Sequence, residues 1–275
     1  MRTTSTIRSA IAIFAVALGL LAIAGTAQAQ YDSGGFEPPR FLTNLAGSPE
    51  LSGQDPLGPW LKDTGTGTAI IQTAVKQGGT QAVQFTRPAN ANGDTRYAVP
   101  RPAIVGTPAT IIRINWDMNV SLSPTAPFGP FFGAEGYDAT VPTLPRLIGS
   151  LGVDSHTGEV LYQDADGILT ATDSIVPFGQ WNHYTLELNY GTKQYTGLLN
   201  GTAIVTSPFI DPGITGFTDA PISTLASTFE SLATATGTAY FDNYSITVVP
   251  EPASLALIGL GSLALLRRRR VAAGA

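Results

Sequence analysis

Two histidines, three tryptophans and a few closely spaced acids are what this 275-residue sequence offers for chemistry. His183 is a candidate general base, although Thr185, Glu187 and Asn189 around it also read as an ordinary solvated strand face. His156 falls in Asp154-Ser155-His156-Thr157-Gly158, which reads as a hairpin loop. Asp164-Ala165-Asp166-Gly167 puts two acids on one side if extended, but Asp-Gly before Ile168 marks a turn. A glycosidase needs two carboxylates about 5–10 Å apart across a sugar, and no Glu-x-Asp-x-Glu run supplies them. Neither a Gly-x-Ser-x-Gly elbow nor a phosphate loop occurs, since Gly65-Thr66-Gly67-Thr68 lacks the lysine. Cysteine is absent, which excludes a thiol nucleophile, a disulfide scaffold and a thiolate metal cluster. Sugar rings stack on exposed aromatic faces, and Trp60, in Leu57-Gly58-Pro59-Trp60-Leu61, is the residue placed to do so. Trp116 has core phase and Trp181 fits a strand anchor. With no catalytic constellation in view, the expectation is a protein that is not an enzyme.

These side chains must be carried by strands. Between Gln30 and Val249 apolar and polar residues alternate at period two, with Gly, Pro, Asn and Asp between the runs. In Ala109 to Leu122, Ile112, Ile114, Trp116, Met118, Val120 and Leu122 share one face and Arg113, Asn115, Asp117, Asn119 and Ser121 the other. Trp181 to Tyr190 repeats the pattern. Tyr195 to Thr206 reads as a hairpin turning at Asn200-Gly201. Further strands are expected at 68–75, 82–86, 147–153, 160–162 and 239–248, and the proline-rich stretch 122–130 reads as a loop. About a dozen short strands without helical periodicity predict an all-β domain, a single antiparallel two-sheet β-sandwich. A core of that size needs no staples.

Charge narrows the partners. Residues 30–249 hold nine basic and nineteen acidic residues, a net charge of −10. Binding a nucleic acid duplex needs a basic stripe, so nucleic acid is excluded as a partner.

Both ends read as addresses. Arg2 and Arg8, an apolar run from Ile11 to Ala24 and the small residues Ala27 and Ala29 around Gln28 have the layout of a secretory signal peptide over residues 1–29. Signal peptidase would then leave Gln30 as the new N-terminus. At the other end Val249-Pro250-Glu251-Pro252 precedes an apolar stretch, 253–266, and the cluster Arg267, Arg268, Arg269 and Arg270. Prolines on both sides of Glu251 disfavour regular structure. The 14 apolar residues, read as a short hydrophobic helix, cover about 21 Å of a hydrocarbon core near 30 Å. Such a segment suits transient inner-membrane association better than a permanent anchor, and the arginines stay on the cytoplasmic side.

This tripartite tail, residues 249–275, resembles the PEP-CTERM sorting signal of Gram-negative-type bacteria. The resemblance implies recognition by an exosortase, cleavage near Pro250-Glu251-Pro252 and delivery to the cell surface or the extracellular matrix. Within the intervening domain, 30–248, Phe178-Gly179-Gln180-Trp181-Asn182-His183-Tyr184-Thr185-Leu186-Glu187-Leu188 followed by Tyr195-Thr196-Gly197-Leu198-Leu199-Asn200-Gly201-Thr202 resembles the laminin-G or concanavalin A-like jelly roll. Folds of that kind carry lectins, glycan hydrolases and adhesion modules alike. Gly35-Phe36-Glu37 and Tyr240-Phe241-Asp242-Asn243-Tyr244-Ser245-Ile246 resemble the first and last strands of carbohydrate-binding jelly rolls. That resemblance implies that Glu37 and Asp242 meet at a structural calcium; the alternative is a surface glutamate and an aspartate flanking the last strand. No other cofactor is expected.

The functional expectation is an exported envelope or matrix protein of structural or adhesive character. The first alternative is a lectin-like module acting on exopolysaccharide. The second is a polysaccharide hydrolase or lyase.

Overall fold

Strict alternation turns Ile112, Ile114, Trp116 and Met118 inward along one strand, β7 (Thr110–Val120), and leaves Arg113 and Asn115 on its other side. The computed structural model describes residues 28–89, 93–99, 103–107, 110–141, 144–225 and 234–250. Among the described residues strands numbered in chain order, β1 to β17, account for the regular structure, and no helix occurs.

Sheet A runs in the order β14 (Thr202–Pro208), β13 (Gln194–Leu199), β12 (Trp181–Asn189), β7, β17 (Gly237–Pro250), β4 (Ala82–Arg87) and β3 (Thr68–Gln72). A further strand, β1 (Gln28–Asp32), also pairs with β17. Sheet B runs in the order β11 (Leu169–Ile175), β10 (Glu159–Gln163), β9 (Arg146–Asp154), β8 (Phe131–Asp138), β16 (Ile222–Leu225), β5 (Thr95–Ala98) and β2 (Leu61–Thr64). A small ribbon joins β6 (Ile104–Val105) to β15 (Gly216–Phe217). The two large sheets are antiparallel and pack as a jelly-roll sandwich, the fold class the sequence predicts.

Aromatic rings fill the space between the sheets. Phe85 meets Tyr97, Phe132 and Phe241 at centroid distances of 5.4, 6.1 and 6.2 Å. Trp116 stacks on Tyr184, its partner across β7 and β12, at 5.6 Å. All six rings are fully buried, each a side chain whose burial is worth about 1.5–3 kcal/mol. The Asn200-Gly201 turn between β13 and β14 has φ of 49° and 80°, the positive pair a two-residue hairpin demands. A Cβ on Gly201 would touch nothing within 4 Å, so only backbone strain opposes Gly201→Ala. Urea unfolding should register that strain as a loss of about 1–2 kcal/mol.

The stretch 33–60 forms no strand, only isolated bridges at Leu45–Ser48 and Glu50–Ile70. A connection that long is unusual in a compact domain, and a buried network explains its order. Phe36, Phe41, Leu51 and Trp60 are fully buried beneath it. The Trp60 indole donates to the Tyr31 hydroxyl at 2.8 Å, and that hydroxyl donates to Asp55 at 2.9 Å. Arg40 grips the same carboxylate in bidentate fashion, and the Gln54 side chain both accepts from and donates to the Leu42 backbone. Trp60 is therefore a core residue. Its assignment as a ligand-stacking face is corrected: no surface of the ring reaches solvent.

Ala29–Val248 form one compact unit. The strand β1 includes Gln28 and Ala29, upstream of the expected mature start at Gln30. Ala27, the signal-peptide apolar run, Glu251, Pro252, the apolar segment 253–266 and Arg267 to Arg270 lie outside the described residues. Pro250 closes β17. Among the described residues no helix is long and apolar enough to cross a membrane.

Candidate functional site

The outward face of sheet A carries a ladder of polar side chains built by the register of β7 against β12. Asn119 lies opposite Trp181, Asp117 opposite His183, Asn115 opposite Thr185 and Arg113 opposite Glu187. The last three rungs are bonded through their side chains. His183 Nδ1 lies 2.7 Å from Asp117 Oδ1, and Asn243 Nδ2 donates to the other oxygen of Asp117 at 2.7 Å. Thr185 donates to Asn115 at 2.8 Å, and Arg113 donates to Glu187 at 2.7 Å. At the rim the Asn200 carbonyl oxygen accepts from the His183 backbone N–H, while its amide donates to Asn182. Asn243 reaches Asp117 from a left-handed backbone, φ 50°, a conformation asparagine tolerates better than most residues.

Trp181 shares the phase of His183 two residues on. Trp60 and Trp116 are fully buried, whereas Trp181 is only half-buried. The anchoring role expected for Trp181 thus leaves an aromatic face beside a histidine, a carboxylate and several amides. That grouping suits a sugar: an apolar face for stacking, with donors and acceptors for hydroxyls around it.

The Asp117 carboxylate, bonded to Nδ1, raises the His183 pKa above its ordinary value, against the opposing effect of partial burial. With Nδ1 engaged, Nε2 is left as the working atom of a base held and oriented by an acid. Because the folded value exceeds the unfolded one near 6.5, this pair stabilises fully below about pH 6.5. The contribution fades as pH rises through the elevated value. An NMR titration should place the His183 midpoint above 6.5, and Asp117→Asn should bring it down.

Glu37 and Asp242 do converge, around Gly35, where an added Cβ would sit 3.5 Å from Asp242 Oδ1 and 3.6 Å from Glu37 Cγ. Their oxygens are already engaged. Glu37 accepts from the Thr80 and Gln81 amides and the Thr80 hydroxyl, and Asp242 accepts from the Gln77, Gly78 and Asn243 amides. A calcium ion wants six to eight oxygens, and among the described residues no three metal-binding side chains gather. The two carboxylates as placed do not fit a calcium centre. They clasp the 77–81 loop, and burial raises the Asp242 pKa because the amides only partly repay its desolvation.

Sheet B carries a second polar cluster on β5 and β8. Arg96 makes a bidentate pair with the fully buried Glu135, and the Tyr137 hydroxyl donates to the same carboxylate at 3.2 Å. Nearby Asp219 is pushed up to about 6, chiefly by burial, with Asp63 and Glu135 adding to it. Every strong donor in this cluster is spent on its neighbours. Asp164 caps its own turn, accepting from Asp166 and Ile168 amides, and His156 bonds the Ser123 carbonyl at 3.0 Å in the β9–β10 loop. Both sites read as turns, in line with the sequence.

With this geometry in hand, comparison with known proteins locates one motif and one fold. Residues 248–270 carry a PEP-CTERM protein-sorting motif. The motif implies an extracellular protein that is exported and processed at the membrane by an exosortase. No curated protein sequence matches the chain. Among solved structures it is similar to a carbohydrate esterase of the Shiga toxin-encoding bacteriophage phi24B, at 12% identity and TM-score 0.51, over 81% of this chain and 99% of that one. It is also similar to an endo-β-1,4-glucuronan lyase from the fungus Trichoderma reesei, at 10% identity and TM-score 0.49, over 67% of this chain and 90% of the lyase. A sialidase matches at 9% identity and TM-score 0.48 over 68% of this chain, which spans only 16% of the sialidase. Identities this low establish the jelly-roll fold alone.

They do correct one expectation. The absence of an acidic run does not make this a protein that is not an enzyme, since a neighbour of the same architecture is named as a carbohydrate esterase. That inference from a missing motif falls.

Proposed function

We propose that this protein is delivered by an exosortase to the cell surface or extracellular matrix of a Gram-negative-type bacterium, where its sandwich binds polysaccharide along the outer face of sheet A. The observation that carries the proposal is the partly exposed Trp181 in phase with His183, beside Asp117 and Asn243. Support also comes from a structural neighbour named as a carbohydrate esterase. The sorting tail would bring the domain to the place where such polymers accumulate. Adhesion within the matrix follows naturally from binding of this kind.

Affinity electrophoresis against a panel of polysaccharides, including the producing cell's own exopolysaccharide, tests the proposal. Retarded migration with at least one polymer is the expected result. A correctly folded protein that no polymer retards would refute it. Mass spectrometry of surface and medium fractions tests the delivery step, with loss of residues beyond the Pro250 region expected.

A second reading is favoured by one observation, the His183–Asp117 pair with Nε2 left to work. In it the bound polymer is also cleaved, with His183 as acid–base. His183→Ala would then reduce release of new chain ends far more than it reduces retardation.

A further inference from the structure

We infer that the polymer accepted by the outer face of sheet A is uncharged, a neutral glycan and not a uronate or sulfated chain. This rests on the glycan-binding reading and adds the ligand class to it. A polyanionic sugar needs cations free to meet its carboxylates or sulfates, usually a guanidinium fork. Among the described residues the face has one arginine and one histidine to meet an anion, and each already has a carboxylate. Arg113 donates to Glu187 at 2.7 Å, and His183 lies 2.7 Å from Asp117. Asp242 and Glu37 add further negative charge at the Asn243 end of the ladder, with their oxygens turned to the 77–81 loop.

Elsewhere among the described residues the arginines are paired or buried, and the lysines lie away from the ladder. Arg40 is bonded to Asp55, Arg96 to Glu135 and Asp94, and Arg146 to Asp138 and Asp211. Arg87 is fully buried, donating to the Ala235 carbonyl. Lys62 sits over the Tyr97 ring, and Lys193 over Tyr190 with its ammonium on the Ile214 carbonyl. Lys76 donates to the Thr73 carbonyl and lies near Glu37. Around them the domain carries a net charge of −10, nine basic against nineteen acidic residues over 30–249. At physiological salt the field of that charge extends about 8 Å, so an approaching polyanion is repelled.

What the ladder does offer matches hydroxyl groups. Asn115, Asn243 and Ser245 are not buried on this face, and their amide and hydroxyl groups, partly engaged with one another and with Asp117, are uncharged donors and acceptors. From Trp181 to Glu187 the face extends about 20 Å at 3.3 Å per residue, enough for several sugar units in a row.

The test casts neutral polymers (a β-glucan, a xylan, a dextran) and acidic ones (polymannuronate, pectate) into separate native gels at pH 7 and runs the exported protein through each. Retardation by at least one neutral polymer, with apparent affinity for the acidic polymers at least about tenfold weaker, is the expected result. Glu187→Gln, which frees the Arg113 guanidinium without removing it, should gain retardation by the acidic polymers. Equal or stronger retardation of the wild-type protein by an acidic polymer would overturn the neutral assignment and leave glycan binding intact. Failure of Glu187→Gln to gain any acidic binding would remove the charge-pairing argument. No retardation by any polymer would refute the binding reading itself, and this inference with it.

Discussion

Asp55→Ala should lower the stability of the sandwich by about 3–5 kcal/mol, the cost of removing one partner from a buried ion pair. The carboxylate is fully buried and is the common acceptor for Arg40, the Tyr31 hydroxyl and the Leu57 amide. Without it the Arg40 charge has no counterion and the chain from Trp60 through Tyr31 loses its end. Because Trp60, Phe36 and Phe41 pack under the same loop, their burial is compromised together. Burial alone would raise the Asp55 pKa, but the donors of Arg40, Leu57 and Tyr31 outweigh it and hold the group below its ordinary value. A lowered folded value means that the stabilisation is complete above about pH 4 and is lost as pH falls through that value. Urea unfolding at pH 7 and again near pH 3 checks both parts. The deficit of Asp55→Ala should be large at pH 7 and should shrink in acid.

Trp181→Ala should abolish most glycan affinity while leaving the fold unchanged. A stacking tryptophan in a binding face is worth about 2 kcal/mol, which corresponds to roughly a 30-fold loss in affinity. The ring is only partly buried, at the start of β12, so its removal leaves the packed Trp116–Tyr184 stack on the opposite side intact. Retardation in a polysaccharide gel, read beside an unchanged circular dichroism spectrum, separates lost binding from lost folding. Trp181→Phe should retain part of the affinity, since a smaller ring still stacks.

Strands that alternate cleanly were legible from residue types alone. β7 and β12 fall within a residue or two of their expected bounds, and the Asn200-Gly201 hairpin turns where its sequence says it must. The strand β8 was not legible. Its residues Phe131-Phe132-Gly133-Ala134-Glu135-Gly136 are buried on both faces, so period two disappears, and Glu135 owes its place inside to Arg96, 39 positions earlier. The loop 33–60 hid its order for a similar reason: Trp60 beside Gly-Pro looks exposed until Tyr31 and Asp55 are brought to it.

The site was half legible. The parity of Trp181 and His183 could be read along one strand, as could that of Asp117 along another. Their junction depends on the register of β7 against β12, which no local pattern encodes, and on the left-handed Asn243 that swings an amide to Asp117. Glu37 and Asp242 both lie beside Gly35. Their partners turned out to be backbone amides of a loop some forty residues from one and more than 160 from the other.

Whether the outer face of sheet A is the glycan site is tested most directly by NMR mapping of the exported protein against a polymer-derived oligosaccharide. Side-chain signals give the answer: the Trp181 indole N–H, the amides of Asn115 and Asn243, and the His183 ring. Saturable shifts concentrated on that set are the predicted result. Shifts confined to the Arg96–Tyr137 face of sheet B, or a spectrum that no oligosaccharide perturbs, would contradict it.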